Sequence, residues 1–524
     1  VFAGIAILAI VFLIGRWSPV PESFVQAVIT AGELRDHVFY LASDKLQGRE
    51  TGTDGIAEAE NYIAAEFARY GLHPLPGEED FFLEYTLYKK GFSQERSYLI
   101  VSGPGGRCTA TLGRDFRPFS FSETGEVEAE VVFAGYGITA PEYDYDDYEG
   151  LDVEGKYVLV LRHEPNENDP ESRFDGTNHT RHAYFKTKKE NAEEHGAVGM
   201  ILVTDPLHHS GPEDFRSLID LALEPPDLET PASTSAHPPF LAVHIAQPIA
   251  RQMLGFSLQQ FRQLQQKVDE GTKPAALDIG SMTAEIGLHK IHKKIAVPAR
   301  NVAGYVRGTS GREDVQGTDP DSRGEWIVVG AHHDHLGSFA GDGDTIYNGA
   351  DDNGSGTAAV LELAEAVTHL LPNPERNVAF VTFSGEEDGL LGSRAFLEES
   401  VLPAESIVFM MNFDMIGRNP GESLRIYGAH TLEDLRDIVA GASERYALSV
   451  DLQSSSPYRE MISDHTPFEE RDIPYLAFFS GVHDDYHEVS DHAEKLFYER
   501  VEAITQVSLD VLCFLCYSRW SQSR

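Results

Sequence analysis

The sequence predicts an α/β protein: a mainly parallel mixed sheet flanked by helices, with a β-rich module inserted into it. Three observations predict this. From residue 301 onward, short apolar runs alternate with amphipathic helical text, the pattern that buries a parallel sheet between helical layers. Between residues 127 and 285, short apolar runs recur with little helical text between them, which marks a separate module. The length of 524 residues exceeds one ordinary domain.

The chain opens with VFAGIAILAIVFLIG, an uncharged run followed by Arg16 and Trp17. Residues 1–22 read as a signal peptide or membrane anchor, which implies an extracytoplasmic protein that is periplasmic, secreted or tethered to a membrane. From Ser43 to Leu72 the text reads as a loop and one helix. Asp54 caps that helix, Ile56, Ala59, Ile63 and Phe67 share its apolar face, and Gly71 stops it. Strand-like alternation follows from Phe81 into the 120s and completes an N-terminal part of the larger domain, residues 31–126.

The inserted module, 127–285, holds strand-like runs at Val131–Tyr136, Lys156–Arg162, Val198–Val203 and Phe240–Ile245. A polar helix is expected from Arg181 to His195, and Asp205 to Pro239 reads as a long surface loop. The module shows little catalytic chemistry. The larger domain resumes at 295–518, with strands expected at Asn301–Val306, Trp326–Gly330, Val378–Phe383, Ile407–Phe413 and Tyr475–Phe479. Val360, Leu363, Ala364, Val367 and Leu371 line one face of a helix from Gly354 to Leu371. Thr309 to Gly324 is a polar loop, and a final helix runs from Lys495 to Cys516.

The chain has 84 acidic and 42 basic residues, a net charge of -42. That excludes nucleic acid as a partner, because phosphate binding needs clustered Lys and Arg. Cys108, Cys513 and Cys516 are too few for a disulfide framework. Cys513 and Cys516 read as small buried residues on one helix face rather than a redox pair. Asn178-His179-Thr180 forms a glycosylation sequon, read as accidental.

In open α/β sheets, sites form beyond the carboxyl ends of the strands. Five such positions carry AHHDHLG, GADDNGSG, SGEEDG, NFDMIG and SGVHDDYHEVSD. Each delivers His, Asp or Glu, and none delivers Cys. Nitrogen and oxygen donors of this kind suit Zn²⁺, Mn²⁺ or Co²⁺. The excess of carboxylates over histidines favours two ions sharing a bridging carboxylate.

In these blocks the sequence resembles the M28 peptidases, zinc-dependent exopeptidases related to bacterial secreted aminopeptidases. HHDHLG, GADDNGSG, FSGEEDGLLGS, NFDMIG, SDHTPF and DDYHEVSD match in order. LASDKLQGRETGT, before residue 72, matches more weakly. VVFAGYG, GKYVLVLR and HGAVGMILVTD resemble an inserted protease-associated (PA) domain.

The resemblance implies a zinc exopeptidase fold holding two Zn²⁺ per chain, with Mn²⁺ or Co²⁺ as alternatives. His332, Asp352, Glu387, Asp414 and His487 are its implied ligands, with Asp352 bridging and Asp351 the weaker neighbour. Glu386 is the implied general base. Asp334 is expected to accept the His332 imidazole N–H and set its tautomer, and Tyr486 to donate to the oxyanion. His333 and His335 read as loop or packing histidines, and His483 and His492 as weaker rivals of His487. Asp464 and His465 belong to a block of structural or substrate-side role. Ile462 stands where some relatives carry Arg, with Arg459 the nearest. The expected function is aminopeptidase action on peptide substrates. Alternatives are a carboxypeptidase or dipeptidase of the same family and a non-catalytic, receptor-like binding protein.

Overall fold

The runs WIVVGAH, NVAFVTF and IVFMMNF have every residue buried or nearly so. Strands without a solvent face belong in the middle of a sheet covered on both sides. The computed structural model places them there. It describes residues 21–177, 179–209, 219–223, 238–290, 295–309, 324–338, 343–399, 402–432, 434–453 and 461–518. The apolar opening, Asn178 of the sequon, Arg459 and most of the two expected loops at 205–239 and 309–324 lie outside the described residues.

The chain forms two compact units, one from residues up to Leu87 together with those from Ala296, the other Tyr88–Ile295. In the first unit, Trp326–His332 pairs in parallel with Asn377–Phe383 on one side and Ile407–Phe413 on the other. Tyr475–Phe479 continues the parallel run beyond Ile407–Phe413. Ala296–Val306 and Leu424–Tyr427 flank these four strands in antiparallel sense, so the sheet is mixed with a parallel centre. The chain leaves Trp326–His332 first to one neighbour and later to the other. The carboxyl ends of the four central strands therefore meet around a topological switch point.

One face of this sheet is packed by helices Ala31–Leu41, Asp54–Tyr70, Gly356–Leu370 and Tyr498–Tyr517. The helix at Asp54 starts with Thr53 as N-cap. Asp54 lies inside the first turn, where an acid complements the helix dipole. Gly71 ends the helix at φ 83°, a left-handed C-cap that a Cβ disfavours. Cys513 and Cys516 are buried in the Tyr498–Tyr517 helix, among the apolar side chains of that face. The opposite face is filled by Phe396, Phe468 and neighbours.

The second unit has an eight-stranded sheet. Gly125–Phe133, Tyr157–Leu161, Gly199–Val203 and Leu241–Ile245 run parallel. Met282–Leu288 pairs antiparallel with both Gly125–Phe133 and Tyr98–Gly103. Residues 88–126 thus lie in this unit, although their text groups with the N-terminal part 31–126 in the sequence. Alternation reveals a strand but not its partner, and here the partner is the Met282 strand. The expected polar helix is a short 3-10 turn at Arg181–Ala183 followed by Phe185–Glu194. Among the described residues no helix is long and apolar enough to cross a membrane.

Candidate metal centre

Trp326–His332 ends in the imidazole that anchors the cluster. His332 is 1% exposed. Its Nε2 lies 3.3 Å from Asp352 Oδ1, 3.5 Å from Asp414 Oδ1 and 4.0 Å from Glu386 Oε2. On the other side, His487 Nε2 lies 3.2 Å from Asp352 Oδ2 and 3.1 Å from Glu387 Oε2. The two Asp352 oxygens therefore face two different imidazoles. All five expected ligands converge, with Glu386 beside them.

Each side chain is held by local structure. Asp352 sits in the irregular turn Ala350–Ser355, before the helix at Gly356. The backbone N–H groups of Asp351 and Asp352 donate to Asp491 Oδ2 at 2.9 and 3.1 Å. The Asn353 side chain ties the turn to the Ile407 strand, donating to the Phe413 carbonyl at 2.8 Å and accepting from Gly356 N–H at 2.9 Å. Asp351 points away from the imidazole pair, accepting Gly417 N–H at 2.6 Å and lying 3.2 Å from His483 Nε2. His483 is thereby engaged elsewhere. So is His492, 3.1 Å from Asp344.

Asp334 differs in detail from its expected role. The His332 Nδ1 neighbour is the Asp334 backbone carbonyl at 3.2 Å, with the carboxylate at 3.7 Å. That carboxylate instead accepts the backbone N–H groups of Glu386 and Glu387 at 3.2 and 3.3 Å. It orients the turn bearing both glutamates as well as standing beside the imidazole. His333 turns away to Thr382 Oγ1 at 3.0 Å, as expected. His335 does not stay outside: its Nδ1 lies 2.7 Å from Glu387 Oε1 and 3.9 Å from Asp352 Oδ2. The reading of His335 as a packing residue is corrected by this contact. Tyr486 is partly exposed and stacks its ring on that of His487, centroids 3.9 Å apart. Asp464 and His465 are buried near the same strand ends, and burial pushes the Asp464 carboxyl up to about 7. Ile462 is exposed.

A further residue comes from the N-terminal segment. Arg49 is 1% exposed. Its guanidinium donates to the backbone carbonyls of Leu41, His333, Asn348 and Gly349. It clamps the His332 and Asp352 loops together from behind. Arg49 has φ 51°, and Gly48 beside it has φ 74° and lies so close to Gly337 that a Cβ would fall 2.1 Å from its carbonyl oxygen.

The electrostatics call for cations. Burial works against a charged His332, but Glu386 and Asp414 outweigh it and hold its pKa well above the usual value. Burial also opposes a charged His487, and Glu387 and Asp352 raise it likewise. Glu386 is pushed well above the carboxylate range by burial and by Glu387 and Asp414. Burial would raise Glu387 too, but His487 and His335 carry it down to about 2. Asp414 Oδ1 is buried without a hydrogen-bond partner. A buried acceptor left open beside an imidazole fits a metal ligand. Three triads, His332–Asp352–Asp414, His332–Glu386–Glu387 and His335–Asp352–Glu387, each bring their donor atoms within 4.8 Å of one another. The donor set is nitrogen and oxygen throughout, as zinc accepts.

Comparison with known proteins follows the same division. Residues 314–512 match the model of peptidase family M28, and residues 127–232 that of the PA domain. The chain is 33% identical over 186 residues to leupeptin-inactivating enzyme 1 of Streptomyces exfoliatus, covering 35% of this chain and 37% of that protein. It is 33% identical over 185 residues to aminopeptidase YwaD of Bacillus subtilis, covering 34% and 38%. The matched stretches thus span well under half of these relatives. Among solved structures, an aminopeptidase from Aneurinibacillus sp. strain AM-1 superposes with TM-score 0.57 at 20% identity, over 96% of this chain and 97% of that one. The zinc aminopeptidase BSAP from Bacillus subtilis gives 0.56 at 18%, over 94% and 96%. These likenesses show a shared fold.

Proposed function

Because the chain belongs to peptidase family M28, with a PA domain inserted, we propose that it is a two-zinc aminopeptidase that removes single residues from the N-terminus of peptides. The observation that carries this reading is the Asp352 carboxylate, one oxygen toward His332 and the other toward His487. His332, Asp352 and Asp414 would hold one ion, and Asp352, Glu387 and His487 the other. Ions bound there would acidify a water and polarise the scissile carbonyl.

The chain's own residues do the rest. Glu386, beside His332 and not needed as a ligand, takes a proton from the attacking water and hands it to the leaving amine. Asp334 fixes the turn that aims Glu386 through its backbone N–H. Tyr486, stacked on His487, offers its hydroxyl to the developing oxyanion. The relatives named as aminopeptidases support the N-terminal specificity. An extracytoplasmic location, with the apolar opening as leader or tether, remains part of this reading on the sequence run alone.

The test is hydrolysis of leucine p-nitroanilide against an N-blocked dipeptide, with metal content measured on the same sample. Turnover of the unblocked substrate with about two zinc ions per chain is expected. Cleavage of only the blocked dipeptide would point to the carboxypeptidase alternative. No cleavage and no bound metal would overturn the peptidase reading.

A further inference from the structure

Asp352, whose two oxygens face the two imidazoles, stands in a turn that is not regular helix. Gly349 leads into it at φ 57°, and Asp352 and Asn353 inside it have φ -107° and -127° with ψ outside the helical range. Buried N–H groups in such a turn need partners from elsewhere in the chain. Three successive residues find the same one. Ala350 N–H donates to the Asp491 backbone carbonyl at 3.1 Å. The N–H groups of Asp351 and Asp352 both donate to Asp491 Oδ2, at 2.9 and 3.1 Å. Asp491 is fully buried.

Asp491 lies four residues beyond His487 in the sequence. One short segment therefore carries the His487 imidazole and also the anchor of the carboxylate which that imidazole faces at 3.2 Å. The segment is itself tied down. Asp485 accepts from Arg418 at 2.8 Å, from Ser490 Oγ at 2.6 Å and from Lys495 Nζ at 2.6 Å. The second Asp491 oxygen, Oδ1, faces Arg418 Nη1 at 3.9 Å, which leaves Oδ2 to the turn. The His332 side is held by other groups. The His332 carbonyl accepts from Thr357 Oγ1 at 2.7 Å, and Asn353 ties the turn to the Phe413 carbonyl, next to Asp414, at 2.8 Å.

We propose that Asp491 is the positioning residue of the second ion: its side chain sets the spacing between Asp352 and His487. This rests on the two-zinc reading. Removing the Asp491 side chain weakens the ion held by Asp352, Glu387 and His487 and spares the one held by His332, Asp352 and Asp414. What the turn requires is an acceptor rather than a charge, because both N–H groups share one oxygen. The amide oxygen of an asparagine can take that place.

The test follows zinc uptake by the full chain, stripped and then titrated with ZnCl₂ against a chromophoric chelator. Wild type should take up two ions. Asp491→Ala should bind the first as wild type does and the second about 10–100-fold more weakly, the usual effect of losing a partner that orients a ligand. Asp491→Asn should return the second affinity to near the wild-type value. With leucine p-nitroanilide at limiting zinc, Asp491→Ala should lose kcat with KM unchanged, and excess ZnCl₂ should restore kcat. A residue that only supports the fold would shift urea unfolding of the stripped chain without separating the two affinities. Asp491→Leu, close to aspartate in shape, carries the same test if the alanine chain fails to fold. Wild-type affinity for both ions in the chain lacking the acceptor would overturn the proposal. So would an equal loss of both ions in the alanine and asparagine chains. Wild type taking up fewer than two ions would sink the two-zinc reading as well, which separates the two failures.

Discussion

One oxygen of the Asp352 carboxylate lies 3.2 Å from Nε2 of His487, two residues brought together from opposite ends of the large domain's C-terminal half. The contact joins two half-sites, because the second Asp352 oxygen is committed to His332. Asp352→Asn should therefore deplete both ions rather than one. The expected result is metal content falling toward zero together with activity, measured by elemental analysis and leucine p-nitroanilide hydrolysis. Two retained zinc ions would contradict a bridging role.

Glu386 is adjacent to the proposed ligand Glu387 but serves chemistry rather than binding. Glu386→Gln should keep its zinc and lose about 10²–10⁴-fold in kcat, the usual worth of a general acid–base group. Loss of metal in this variant would make Glu386 a ligand instead.

His335 contacts Glu387 Oε1 at 2.7 Å, while His487 faces the other oxygen, Oε2, at 3.1 Å. Removing such a supporting partner typically weakens metal binding about 10–100-fold. His335→Ala should show that weakening in a competition titration against a chelator. Unchanged zinc affinity would mean that Glu387 needs no such support.

Chelation should abolish hydrolysis, and adding Zn²⁺, Mn²⁺ or Co²⁺ should restore it, because the donor atoms suit all three. Mg²⁺ should not, since it prefers an octahedral oxygen set. Full activity after exhaustive chelation would exclude a metal-dependent reaction.

Arg49 satisfies four backbone carbonyls behind the metal centre. Arg49→Met removes the donors and leaves buried acceptors open, at about 1–3 kcal/mol for an unsatisfied group. A destabilisation of at least about 2 kcal/mol is expected in urea unfolding, with zinc affinity reduced as the two loops loosen. Wild-type stability and affinity together would show that the clamp is dispensable.

The central strands were legible because buried parallel strands are written as short apolar runs, and each run ended in its His, Asp or Glu. His332, Asp352, Glu387, Asp414 and His487 could be nominated for that reason. Asp491 and Arg49 lie inside matching blocks, but the sequence text carried no sign of their partners: the Asp491 side chain accepts the Asp352 N–H, and Arg49 donates to backbone carbonyls mostly far along the chain. Backbone acceptors leave no residue-type signature.

The chain by itself determined the strand and helix periodicities, the acidic surface and the set of donor residues, because those depend on side-chain type and local spacing. Tertiary structure alone decided that residues 88–126 fall in the second unit, that His335 turns inward and that Asp334 serves two glutamate N–H groups. Each of these depends on which strand lies beside which, and sheet pairing is set by long-range packing that no short stretch of sequence contains.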